Sequence, residues 1–99
     1  MTRGPDVQEK SLKRLNRYRG YKVSDITFTT HARKQMLRRK VMQEDVYQTL
    51  RNPAITLPIF EDNTQEFRRK VGNRTHFVVV DYSTEGLMKI ITTGWSSEP

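Results

Sequence analysis

Phe77-Val78-Val79-Val80 is apolar on both faces of an extended chain, and this constrains the fold more than any other part of the sequence. Side chains alternate across a strand, so a segment of this kind needs cover on both sides and belongs near the middle of a sheet. β-prone residues extend it to a strand over 75–82. A period of two continues on either side. Ile55, Leu57 and Ile59 alternate with Thr56 and Pro58, and the proline confines that strand to an edge or a strand end. Glu61-Asp62-Asn63-Thr64 is a turn. The spacing then predicts a strand over 66–71, with Phe67, Arg69 and Val71 on one face and Arg68 and Lys70 on the other. Gly72-Asn73 suits a hairpin into the 75–82 strand. Residues 83–86 turn the chain into a last strand over 87–93, and Gly94-Trp95-Ser96-Ser97 leads to a polar tail.

The first half follows helical spacing instead. Ile26-Thr27-Phe28-Thr29 reads as a short strand, and Thr30 is the expected N-cap of a helix over 31–40. In that helix Ala32, Met36 and Leu37 share the inner side, while Arg33, Lys34, Arg38 and Arg39 surround the rest. A second helix starts near Gln43, where Glu44 and Asp45 suit the positive end of its dipole, and Val46, Tyr47 and Leu50 face inward. Asn52-Pro53 ends it. Leu12, Leu15 and Tyr18 recur at three-residue spacing within 1–23, consistent with a docked helix or a basic arm. The expected architecture is α+β: two to three helices packed on one face of a four-stranded antiparallel sheet, the other face free for a ligand. Residues 1–23 form the arm and 24–99 a single domain.

Charge narrows the choice of ligand. The 99 residues carry 18 Lys and Arg against 11 Asp and Glu, a net charge of +7. The excess is concentrated in 1–23, in the His31 helix and in Arg68-Arg69-Lys70 with Arg74, whereas 43–66 is acidic. Such segregation favours a directed patch for a polyanion, RNA above all. Cysteine is absent, which excludes disulfides and thiolate metal sites. There is no run long enough for a membrane span and no signal-peptide pattern, so a cytoplasmic location is expected. No cofactor is expected either: no Gly-rich phosphate loop and no metal-ligand spacing occurs.

His31-Ala32, Met36, Arg39, Val41, Glu44-Asp45-Val46, Leu50 and Asn52-Pro53 together resemble a family of small bacterial domains related to the RelE and BrnT toxins. The resemblance covers about residues 26–94. It implies two helices packed on an antiparallel sheet and a metal-independent ribonuclease of a toxin–antitoxin or contact-inhibition system. An acidic antitoxin or immunity protein is then the implied partner. Gln35 and Lys40 depart from the pattern, Lys40 standing where glycine would ease a left-handed exit from the helix.

RNA cleavage by its own 2′-hydroxyl needs a base, an acid and cations around the phosphorane, and no metal. His31 is the expected acid or base, with Arg39, Arg68, Lys70 and Thr93 completing the catalytic set. Arg68 and Lys70, about 7 Å apart on one strand face, could straddle a phosphate. Arg33, Lys34, Arg38, Arg74, His76 and Trp95 are the expected nucleic-acid contacts, His76 also being a candidate second acid–base group and Trp95 a stacking platform alongside Tyr82. Thr92, on the opposite face from Thr93, is an alternative hydroxyl. Each residue also has a structural reading: His31 beside the helix cap, Arg68 and Lys70 as charges that protect a strand edge, Trp95 as closure of the core. Two other functions fit the same cations, a non-catalytic RNA- or DNA-binding module and a protein-interaction domain.

Overall fold

The computed structural model describes residues 21–97, so nearly all of the expected arm at 1–23 lies outside the described residues. A short 3-10 turn, Val23–Asp25, leads into β1, Ile26–Phe28. Helix α1, Thr30–Arg39, is capped by Thr29 rather than Thr30: the Thr29 hydroxyl accepts from the Ala32 N–H at 3.0 Å. The helix ends on Lys40, which adopts φ 57° and ψ 47°. This is the left-handed exit at which a glycine would relieve a cost of about 1 kcal/mol. The Val41 N–H closes the turn by donating to the Met36 carbonyl at 2.9 Å.

Helix α2, Gln43–Arg51, starts with the Asp45 carboxylate accepting from the Met42 N–H at 2.9 Å, and it stops before Asn52-Pro53. The meander follows: β2 Ile55–Thr56, β3 Thr64–Val71, β4 Arg74–Asp81 and β5 Met88–Ser97. The two residues between β3 and β4 are Gly72, at φ +66°, and Asn73.

The sheet has five strands in the order β1-β5-β4-β3-β2, with β4 central as its apolar centre requires. It is mixed, not the expected four-stranded antiparallel sheet, because β1 pairs parallel to β5 through Ile26↔Met88 and Phe28↔Ile90. The chain leaves β1 through both helices before it builds the meander, and β1 then takes the outer edge of the last strand. Two strand lengths also differ from expectation. β2 keeps two residues of the 55–59 segment, ending short of Pro58, which has no N–H for a ladder. β5 continues through Gly94, Trp95 and Ser96, paired with Phe77, His76 and Thr75.

Both helices cover one face of the sheet, α1 against β5 and α2 against β4 and β3. Met36, Val46, Leu50, Phe67, Val78, Val80, Met88 and Ile90 form the centre of the core between the layers. Leu37 does not join them; it is 84% exposed. Gln35 takes the inward position instead, because α1 is rotated to turn Gln35 and Arg39 towards β5. Among the described residues, the other face of the sheet carries no helix.

Candidate functional site

The helix-free face is concave, enclosing about 830 Å³. Glu66, Arg68 and Lys70 line it from β3, Phe77 and Val79 from β4, and Thr92 and Ser96 from β5. Arg68 and Lys70 share this face as their spacing predicts, but Arg68 is engaged: its Nε lies 2.8 Å from the Glu66 carboxylate. Such a part-exposed pair contributes little to stability, and a phosphate can compete for it.

Beside Thr92, which lines the concavity, α1 reaches the edge of β5. Pairing with β1 ends where the Thr29 N–H donates to the Ile90 carbonyl, leaving the outer edge of β5 uncovered two residues on. Side chains of α1 take over there. The Gln35 Oε1 accepts from the Thr93 N–H at 3.1 Å and from the Thr92 hydroxyl at 2.7 Å. Arg39 Nη1 donates to the Thr93 carbonyl at 3.0 Å. Two side chains thus satisfy the backbone that a further strand would have paired. This bonding fixes the amide: the Thr93 N–H can only donate, so Oε1 faces it and Nε2 faces outward. Gln35 Nε2 lies 2.9 Å from His31 Nε2, which must accept, placing the proton of a neutral His31 ring on Nδ1. His31, Gln35 and Arg39, one helical turn apart, form a stripe along the edge. Through Gln35 it links an exposed imidazole to Thr92 in the concavity.

Gly94 explains how Arg39 reaches that face. A Cβ at this position would lie 2.8 Å from Arg39 Nη1 and 3.1 Å from Phe77 Cζ. A guanidinium and an aromatic ring therefore meet above a residue that has no side chain. Glycine inside a strand marks such close approaches, so Gly94 was a readable signal for this part of the site. Gln35 and Phe77 carried no comparable one.

The covered face holds the second histidine. His76 has no exposed surface. Its Nδ1 lies 2.7 Å from the Thr49 hydroxyl, which accepts from Arg69 Nε at 3.0 Å. Its Nε2 lies 3.2 Å from the Thr93 hydroxyl, which donates to the Phe77 carbonyl at 2.8 Å. Each hydroxyl has one proton, so the chain has one direction: Arg69 to Thr49 to Nδ1, then Nε2–H to Thr93 to Phe77. This is the neutral ring. Burial lowers its pKa from 6.5 to about 4; Asp45 opposes the shift, and Arg69 and Arg74 add to it.

His76 is therefore neither a nucleic-acid contact nor an exposed acid–base group, and the hydroxyl of Thr93, also buried, cannot meet a substrate. The threonine that reaches the open face is Thr92. The Trp95 ring packs at a tilt of 56° against the His76 ring, 4.8 Å between centroids, with Arg74 4.1 Å above its own ring, so this pair lies on the covered side of the sheet. Arg33 lies 5.5 Å over Phe28, and Lys34 and Arg38 are exposed on α1; none of the three lines the concavity.

The model of a family described as a domain of unknown function, DUF4258, matches residues 28–95. The chain belongs to the DUF4258 family. The DUF4258 match runs from the end of β1 to Trp95, so both helices, the His31–Gln35–Arg39 stripe and the Thr92–Gly94 edge fall within it. No curated protein and no solved structure matches the chain. Among the described residues, no three His, Asp or Glu side chains gather to hold a metal ion, and no helix is long and apolar enough to cross a membrane.

Proposed function

We propose that this DUF4258 domain binds RNA on its open sheet face and cleaves it as a metal-independent endoribonuclease of the RelE and BrnT toxin-like kind. The observation that carries the reading is the placement of His31, Gln35 and Arg39 along the β5 edge at Thr92, next to a concavity lined by Arg68, Lys70, Phe77 and Thr92. The concavity offers cations for a phosphate and an aromatic ring for a base. His31 acts as the base: its Nε2 exchanges the Gln35 amide for the 2′-hydroxyl and takes that proton. The freed oxygen attacks phosphorus, the P–O5′ bond breaks, and the 5′-oxygen leaves with a proton from solvent. Arg39 and Lys70 stabilise the charge that builds on the phosphorane. An acidic antitoxin or immunity protein would silence the domain by covering this face.

The test is incubation of the purified chain with labelled single-stranded RNA in EDTA. Fragments ending in a 2′,3′-cyclic phosphate, lost in His31→Ala, support the reading; intact RNA rejects cleavage. One observation favours binding without cutting: with His76 buried, His31 is the sole exposed imidazole. In that second reading the same face binds RNA in a salt-sensitive way and gives no product.

A further inference from the structure

The helix layer carries a second concavity, remote in chemistry from the first. It lies at the junction of α1 and α2, encloses about 800 Å³, and is lined by Met36, Leu37, Val41 and Met42 between Arg33, Lys40 and Glu44. Leu37 and Met42 are 84% and 67% exposed, although each follows a residue that belongs to the core or packs beside it. Large apolar side chains placed together at the end of a basic helix are costly to leave in water and mark contact surfaces.

Charge selects the occupant. Around α1 the apolar strip is flanked by Arg33, Lys34, Arg38 and Lys40. The chain's own residues 1–20 hold six Lys and Arg against two acidic residues, so their charge does not complement this rim. A second copy would bring the same basic rim against it. An anionic membrane fits less well, because the surface is concave and Glu44 stands on its margin. RNA finds neither a stacking ring nor a polar floor. We propose that this groove docks an acidic amphipathic helix of another protein. Its apolar stripe would lie on Leu37 and Met42, with carboxylates on both flanks facing Arg33, Arg38 and Lys40. The inference does not rest on the nuclease reading, since none of these residues lines the open sheet face.

A displayed library of helix-forming peptides, panned on the whole chain, tests it. The expected winners carry an apolar i, i+3, i+4, i+7 stripe with Asp or Glu beside it. As a synthetic peptide, a winner shifts the methyl resonances of Leu37 and Met42. Leu37→Glu, at a site too exposed to matter for folding, weakens binding by roughly a hundredfold, and Arg33→Glu by roughly tenfold. RNA cleavage or binding by Leu37→Glu stays at the wild-type level, so the two sites fail or stand separately. Enrichment of no sequence, or of basic ones, overturns the proposal. So does binding that survives Leu37→Glu, or Leu37-dependent capture of phosphatidylglycerol vesicles in preference to the peptides.

Discussion

The two faces of the sheet use the same side-chain chemistry to opposite ends. On the covered face, Arg69, Thr49, His76 and Thr93 form one directional hydrogen-bond chain in which each hydroxyl both donates and accepts. On the open side, Thr92, Gln35 and His31 form a second chain whose outer end, His31, is exposed, with Arg39 bonded beside it to the Thr93 carbonyl. A buried polar group must be paired or it costs free energy, so the first set is committed to holding β4, β5 and α2 together. In the second set the exposed His31 can exchange its partner for a ligand at little cost, because solvent already competes for it, while the buried Gln35 stays on the β5 edge. Arginine, histidine and threonine do not identify a site by type; burial and unspent bonding capacity decide.

Breaking the covered chain should give the largest effect. His76→Ala leaves Thr49 and Thr93 without their ring partner inside the protein, and denaturant titration should show a loss of about 3 to 4 kcal/mol. His31→Ala should cost about 0.5 kcal/mol or less, as expected for an exposed residue. Equal losses would erase the distinction between the faces. Acid should act through the same ring. His76 has a pKa of about 4 in the fold against an ordinary 6.5, so the unfolded chain takes up the proton first as pH falls. Its contribution is therefore complete above pH 6.5 and lost towards pH 4, up to about 3 kcal/mol. Denaturation midpoints compared across that window should show this slope in the wild type and its absence in His76→Ala.

On the open side, Gly94→Ala sharpens the contrast. The new methyl meets Arg39 and Phe77, so the guanidinium should be displaced from its place over Gly94. RNA affinity should fall roughly tenfold, about 1.4 kcal/mol, matching Arg39→Ala in filter binding. A smaller effect than that of Gly94→Ala belongs to neither face. Lys40→Gly, at the left-handed helix exit, should raise stability by about 1 kcal/mol or less in thermal unfolding and leave RNA binding unchanged.

The elements were legible wherever periodicity decides. The central strand, the Gly72-Asn73 hairpin, the Asn52-Pro53 stop, the separation of Arg68 and Lys70 from Arg69, and the strain at Lys40 follow from local rules. The parallel partner of β1 does not, because alternation over three residues says nothing about which distant strand it joins. The exchange of roles between Thr92 and Thr93 has a physical origin in the β5 bulge. Val80 pairs with Ile90 and Val79 with Thr92, so Ile91 is an extra residue that inverts the alternation beyond it. Gln35 was visible only as a departure from a pattern. Its function depends on a strand edge 57 residues away and on no neighbour in the sequence.

The central claim is that RNA meets the helix-free face of the sheet. Its most direct test is a titration of the isotopically labelled chain with a short single-stranded RNA in which 2′-O-methyl groups block cleavage, read by NMR. Shifts at the Phe77 ring, the Thr92 methyl and the Arg39 guanidinium, with the Thr49 and His76 resonances still, are the predicted result. Shifts confined to α1 and α2, or no saturable change at low salt, would contradict it.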